Sequence, residues 1–277
     1  MKTVASILCS LAAAAWPQTA PAELIVDDQR NGTWNDNAIM SYTARGENPM
    51  QHSASQLMLG VTGTGMLTVS SGQLELTCQE WGAIVGQLGG TGVLTVGGGS
   101  LIWNARGFRE PNFYIGNSHS TGQVAVVAGT LTINTSHLVI GRDKDGYGQL
   151  RIEDGTMICN ATSFAFGGGD KPNAGTRGFV TFGRGNGVLK LTGALSAITF
   201  DHVGGPFYID FLGDSGGKLE INGWTQSQFE SLVAAGRIRV DEKEATASQF
   251  VYHLTDGLGT YQLAAKTAPE EPAATDP

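Results

Sequence analysis

Charged residues, proline and cysteine are all scarce in this sequence of 277 residues. Charged side chains make up 15% of the chain, which has only 9 prolines and 3 cysteines. Although glycine reaches 40 residues, the shortage of proline excludes collagen-like and proline-rich disordered chains. The net charge of −8 disfavours a nucleic-acid-binding protein, which needs a basic face. The abundant residues, glycine with valine, leucine, threonine and phenylalanine, indicate an all-β chain rich in turns.

The N-terminal apolar run is too short for a membrane span. It covers Val4–Ala15, whereas a spanning helix needs about 20 apolar residues. Lys2 precedes the run, and Ala20-Pro21-Ala22 follows it as a small-x-small cleavage pattern. We therefore expect a signal peptide over residues 1–22 and a protein that is secreted or held at the cell surface, periplasmic or extracellular. The alternative is a buried N-terminal helix.

The central part of the chain is a repeat. The pattern G-x-[VL]-x-[VIF]-x-x-G starts at Gly65, Gly92, Gly122, Gly148 and Gly178. A second alternating apolar run follows each copy, and a third run, which usually ends in glycine, precedes it. Since apolar and polar residues alternate with period two, each repeat predicts three short strands.

Three strands in about 25–30 residues, with glycine at the corners, are typical of one coil of a β-helix. Stacked coils align leucine on leucine and bury one continuous core. The sequence therefore predicts an all-β solenoid of five to six coils over residues 57–223. A β-sandwich or a propeller is the alternative, but a WD-type blade needs about 40–45 residues.

The two ends of the chain do not follow the repeat. Residues 23–56 are interpreted as an N-terminal cap, and residues 224–263 as a small C-terminal α+β cap. In the latter, Thr225-x-x-Gln228 predicts a capping box and Gly236 the end of a helix. Short strands are expected at Ile238–Val240, Phe250–Leu254 and Tyr261–Leu263, and residues 264–277 are expected to be disordered.

A polar residue recurs at one corner of the predicted coils. The positions are Thr77, Asn104, Asn134, Asn160 and Thr192. We interpret the asparagines as a hydrogen-bonded ladder between neighbouring coils. Asn134 and Asn160 also match glycosylation sequons, but Asn104 shares their position without a sequon, which favours the ladder.

The cysteines do not predict a disulfide. In the repeat register Cys159 takes an inward position, and Cys78 lies at a corner three coils away. That separation is about 14 Å along the axis, whereas a disulfide joins Cα atoms less than about 7 Å apart. We expect both thiols to be free.

The repeat motif, with its isoleucine-glycine corners, resembles exported bacterial β-helix proteins of the pectin-lyase-like and autotransporter-passenger kind. The segment from Ile221 through Trp224 and Phe229 to Ile238 resembles the C-terminal region of secreted proteins that carry a PEP-CTERM sorting tail, although the tail itself is absent. The resemblance covers roughly residues 57–263. It implies export and the fold class, and it supplies no catalytic residues.

One candidate strip consists of the corners that follow the third strand of each repeat. Its residues are His119, Arg142, Asp143, Asp145, Asp170, Lys171 and Arg177. Carboxylates beside basic residues can bind Ca²⁺ and an acidic sugar. Asp143-x-Asp145-Gly146 is only a fragment of a calcium loop, so a solvated turn is the alternative and no metal ligand or other cofactor is assigned.

A second candidate strip is aromatic and basic, with Trp81, Arg106, Phe108 and Arg109. Exposed aromatic rings beside charges suit sugar stacking or a protein contact, and the alternative is a covered core edge. Two functional classes remain. The first is a secreted, non-catalytic structural, adhesive or surface-binding protein whose partner is a polysaccharide or a cell-surface component. The second is a polysaccharide-active lyase or hydrolase.

Overall fold

The computed structural model describes residues 22–26, 32–34, 50–53, 56–61, 63–78, 82–105, 112–168, 175–193, 198–200 and 205–264. These residues form a β-solenoid of about five turns with one short α-helix. The prediction of an all-β solenoid is confirmed. The predicted signal peptide (residues 1–22) lies outside the described residues except for Ala22, which begins the first strand, and the predicted disordered tail (residues 264–277) lies outside them except for Ala264. The boundaries assigned to the caps stay predictions.

Three sheets, named A, B and C and defined by their strands below, form the walls of the solenoid. In each coil the chain passes through sheet C, then sheet A, then sheet B. Sheet A contains β1 (Ala22–Val26), β5 (Thr64–Val69), β8 (Thr91–Val96), β11 (Thr121–Val126), β14 (Tyr147–Ile152), β17 (Arg177–Phe182), β20 (Phe207–Phe211), β22 (Ile238–Val240) and β23 (Lys243–Glu244). Sheet B contains β2 (Gly32–Trp34), β6 (Gln73–Cys78), β9 (Ser100–Ala105), β12 (Thr130–Asn134), β15 (Thr156–Asn160), β18 (Val188–Leu191), β21 (Lys218–Asn222), β25 (Leu258–Leu263) and β24 (Phe250–Thr255). Sheet C contains β3 (Met50–Ser53), β4 (Gln56–Leu59), β7 (Ala83–Val85), β10 (Phe113–Asn117), β13 (His137–Arg142), β16 (Ser163–Phe166) and β19 (Ile198–Phe200).

Parallel pairing between equivalent strands sets the register of the coils. Leu94 of β8 pairs with Val124 of β11, which pairs with Leu150 of β14. The same alternation in every strand sends one set of apolar side chains inward, where most are fully buried. The core is therefore a stack of aligned columns, and burial of these columns is the main stabilising term.

One inward column of sheet A consists of glycine. Its members, aligned across the strands, are Gly65, Gly92, Gly122, Gly148 and Gly178. A Cβ on Gly148 would lie 2.1 Å from the Ile115 carbonyl oxygen and 2.4 Å from the Gly141 nitrogen. Sheet C thus approaches sheet A too closely for any side chain at this corner. The column ends at Phe207, which pairs with Gly178 and is buried.

The outer face of sheet C departs from the polar pattern of the other two sheets. Ile84, Tyr114 and Val139 occupy positions between inward residues, and they form a small apolar cluster of their own. The guanidinium carbon of Arg142 lies 4.3 Å from the centroid of the Tyr114 ring. Tyr114 also accepts a hydrogen bond at its hydroxyl oxygen from Asn112 Nδ2 at 2.6 Å.

The helix α1 (Gln226–Ala234) covers the end of the apolar core. Gln228 Oε1 accepts a hydrogen bond from the Thr225 N–H at 2.9 Å, which confirms the predicted capping box. At the other end Gly236 adopts a φ of +68°, and the N–H groups of Gly236 and Arg237 donate to Val233 and Leu232. This is a Schellman motif, for which glycine is suited.

The side chains below α1 close the core. Phe229 and Val233 are buried, and Phe229 stacks on Tyr261 with ring centroids 4.2 Å apart. Tyr261 belongs to β25, which pairs antiparallel with both β21 and β24. A 3-10 helix, Ala247–Gln249, leads into β24. Helix and hairpin together form the C-terminal cap.

Candidate functional site

The corners between sheets C and A bring part of the first candidate strip together. His119 and Asp145 lie in successive coils, with His119 Nδ1 3.1 Å from Asp145 Oδ2. The His119 N–H donates to the Lys144 carbonyl oxygen at 2.7 Å. His119 and Asp145 have φ values of 58° and 55°, a left-handed conformation that histidine, aspartate and asparagine adopt more often than other non-glycine residues. The strip is therefore a layered turn, in which the exposed side chains of His119 and Asp145 contact each other between coils.

Arg142 and Asp143 lie in the same corner. Arg142 Nε is 3.6 Å from Asp143 Oδ2, so both predicted calcium carboxylates face a basic side chain. Arg177 begins the next strand of sheet A, and its N–H donates to the Gly146 carbonyl oxygen at 2.8 Å. Within the described residues, no three His, Cys, Asp or Glu side chains are grouped as metal ligands would be. The Ca²⁺ site stays a prediction from the sequence.

Several predicted site residues lie outside the described residues. They are Asp170 and Lys171 of the first strip, and Trp81, Arg106, Phe108 and Arg109, which make up the second strip. Both groups stay predictions from the sequence.

The asparagines at the end of sheet B form hydrogen bonds along the solenoid axis. Asn134 Nδ2 donates to Asn104 Oδ1, and Asn160 Nδ2 donates to Asn134 Oδ1, each at 2.7 Å. Thr192 donates to Asn160 Oδ1 at one end. At the other end Asn104 Nδ2 donates to Glu75 Oε1 at 2.8 Å. The ladder thus connects consecutive coils at the corner where the chain leaves sheet B.

Replacing Asn134 with alanine should lower the free energy of unfolding by about 1–2 kcal/mol, because it removes two hydrogen bonds and leaves two amide groups without their partners. The exposed Asn222 at the end of β21 provides the matched control, and Asn222→Ala should change stability by less than about 0.5 kcal/mol. Denaturant unfolding followed by circular dichroism measures both values. Equal effects of the two substitutions would contradict a stabilising ladder.

An aromatic column on the outer face of sheet A was not predicted from the sequence. It consists of Tyr147, Phe179 and Tyr208, all half-buried. Phe179 and Tyr208 pair directly across β17 and β20, with ring centroids 4.5 Å apart. Tyr147 lies diagonally from Phe179 with its centroid at 5.7 Å. Three rings in three consecutive coils thus follow the solenoid axis on the outer face of sheet A, where β5, β8 and β11 carry no aromatic side chain.

Charged side chains border the aromatic column. The Arg239 guanidinium carbon lies 4.1 Å from the Tyr208 centroid, a cation–π contact. Burial raises the pKa of Tyr208, and the nearby Arg239 partly opposes that rise. Asp210 is only 3% exposed, and burial raises the pKa of its carboxyl although its Oδ1 accepts a hydrogen bond from the Glu242 N–H at 3.0 Å. Arg177, exposed at the start of β17, borders the other end.

The sequence did contain a signal for this column. Phe179 and Tyr208 directly follow the inward positions of Gly178 and Phe207, so alternation sends both rings outward. Aligning the outward positions of successive copies would have placed the rings next to one another.

Taken together, the stacked parallel sheets and the repeated corners define a β-solenoid repeat protein. No family model matches the chain, and no curated protein or solved structure is significantly similar to it. Among the described residues no helix is both long and apolar enough to span a membrane.

Proposed function

We propose that the protein is an exported, non-catalytic β-solenoid that binds a polysaccharide, or a glycosylated cell-surface component, on the outer face of sheet A. The observation that supports this proposal is the aromatic column, whose half-buried rings form one continuous aromatic surface, whereas β5, β8 and β11 carry no outward aromatic ring on the same face. The apolar C–H faces of pyranose rings pack on aromatic rings, as other apolar groups do.

The polar neighbours of the column suit the hydroxyl groups of a glycan. Gln149 lies in register with Phe179, and Arg177 lies in register with Tyr147. Both side chains can donate hydrogen bonds at the rim of a stacked sugar. Since coils are about 4.8 Å apart, three coils present a path of about 10 Å, which accommodates two or three sugar units. The rigid, repetitive core holds this path in one conformation.

Binding to a panel of neutral and uronic-acid polysaccharides by affinity electrophoresis and calorimetry tests the proposal. The double substitution Phe179→Ala and Tyr208→Ala should weaken binding at least about tenfold, which corresponds to about 1.4 kcal/mol. Val93→Ala is the matched control, because Val93 occupies the same outward column several coils away. If no glycan binds, or if the double variant binds as well as the control does, the proposal is wrong.

The alternative function is a polysaccharide-active enzyme, and Asp210 is the observation that favours it. A carboxyl group with a raised pKa is suited to act as a general acid, and Asp210 is two residues from Tyr208 on the same strand. Release of unsaturated or reducing sugar products by the wild-type protein, lost in Asp210→Asn, would establish this alternative. Binding without product release supports the non-catalytic proposal.

A further inference from the structure

The last strand of sheet B has an unpaired outer edge. β24 pairs with β25 on one side, and no strand in the described part of the chain pairs with its other side. Its six residues, Phe-Val-Tyr-His-Leu-Thr, include no proline and no acidic, lysine or arginine side chain. Natural proteins usually protect such edges with charges, prolines or bulges, because unpaired backbone groups recruit another strand. This edge carries none of those protections.

The two faces of β24 differ in what they contact. Phe250 points to the core, with its ring centroid 5.1 Å from that of Phe229. Tyr252 points the same way, and its hydroxyl donates to the Trp224 carbonyl oxygen at 3.2 Å. Alternation places Leu254 on this face too, opposite Gly259, yet its side chain is 60% exposed. The apolar face of β24 therefore continues beyond the part that the cap covers.

We propose that β24 pairs antiparallel with β24 of a second copy, about a two-fold axis at Tyr252. In this register Phe250 of one copy lies opposite Leu254 of the other, and Val251 lies opposite His253. Phe250, Tyr252 and Leu254 are alternate residues of the strand and therefore lie on the same face of the sheet. A two-fold axis perpendicular to the sheet keeps this face on the same side in both copies. The result is an isologous dimer in which sheet B runs continuously through both solenoids.

A second copy fits this edge because the edge is complementary to itself. Leu254 of each copy covers Phe250 of the other, so both ends of the six-residue strand gain an apolar contact. The strand carries no Asp, Glu, Lys or Arg, so pairing places no permanently charged side chains opposite each other. The helix α1 packs over the core through Phe229 and Val233, whereas β24 is the outermost strand of sheet B.

The oligomeric state of the purified protein tests the proposal, by light scattering after size exclusion and by analytical ultracentrifugation. We expect a dimer for the wild type and a monomer for Leu254→Lys, which places two ammonium groups against the apolar face. Leu88→Lys is the matched control, because Leu88 is also 60% exposed but lies in a corner between sheets C and A. This control should remain dimeric, and circular dichroism should show all three proteins folded.

Disulfide cross-linking tests the register itself. Val251→Cys mixed with His253→Cys, each in a Cys78→Ser background, should form a mixed dimer under mild oxidation, because paired Cα atoms lie about 4.5–5.5 Å apart. A wild-type protein that is monomeric at every concentration would overturn the proposal. So would a dimer that survives Leu254→Lys, or one that forms no Val251–His253 cross-link, since that dimer would use another surface or another register.

Discussion

Replacing Gly148 with alanine is expected to lower the free energy of unfolding by at least about 3 kcal/mol, at the upper end of what overpacking usually costs. The new Cβ would lie 2.1 Å from a carbonyl oxygen and 2.4 Å from a backbone nitrogen. Both obstacles belong to the main chain of sheet C, so no side-chain rotation can relieve the contact. Relief requires separating two walls of the solenoid, and the pairing of every neighbouring coil resists that separation.

Gly97→Ala is the control for this substitution. Gly97 lies in a corner between sheets A and B, where the nearest atom to an added Cβ is 3.8 Å away. An alanine there should leave stability unchanged or raise it by about 0.4–1 kcal/mol, because it restricts the unfolded chain. Thermal and denaturant midpoints measure both variants. If Gly148→Ala and Gly97→Ala have similar midpoints, the glycine column does not reflect a close approach of the sheets.

The thiol of Cys159 is expected to react with an alkylating reagent only after the protein unfolds. It is 0% exposed and free, and burial raises its pKa from an ordinary value of 9.0 to about 12. The thiolate is the reactive form, so at neutral pH the raised pKa lowers its population about a thousandfold, and the inaccessibility of the buried sulfur slows the reaction further. Peptide mapping after pulse labelling, native against denatured, measures the effect. Rapid labelling of Cys159 in the folded protein would contradict this assignment.

The same thiol makes stability depend on pH in the alkaline range. Below about pH 9 the thiol is protonated in both the folded and the unfolded state, and its full contribution is present. Between about pH 9 and 12 only the unfolded state loses the proton, so stability decreases by about 1.4 kcal/mol per pH unit. Cys159→Val, which stays apolar, should unfold with a smaller alkaline slope than the wild type. Equal slopes would show that Cys159 does not titrate in this way.

Most of the solenoid was predictable because one short pattern is repeated with small variation. The inward position of Cys159 follows from the sequence repeat, and the strand register places it in line with Leu76, Trp103, Ile133 and Leu191. The helix from Thr225 to Gly236 was predicted for a local reason, since its capping box and its terminal glycine are both short-range signals.

The candidate site was harder to predict, because it depends on the outward positions, which the core does not constrain. A turn rich in aspartate, such as the one around Asp143, has the same composition whether it binds an ion or only turns the chain. The antiparallel hairpin of β24 and β25 has a local sequence signal, the Asp256-Gly257 turn. Asp256 and Gly257 both have positive φ, 51° and 79°, as a type I′ turn requires.

The end of the glycine column at Phe207 bears on how such a chain can change length during evolution. Each coil contacts only the coils next to it, so duplication or loss of a whole copy between Gly65 and Gly178 preserves every corner. After Gly178 the next residue of this inward column is Phe207. A further copy inserted after Gly178 would pack against the Phe207 ring at a position where the other copies have a glycine. Extension and shortening are therefore confined to the interior of the array, and relatives of different length should share the coil that contains Phe207.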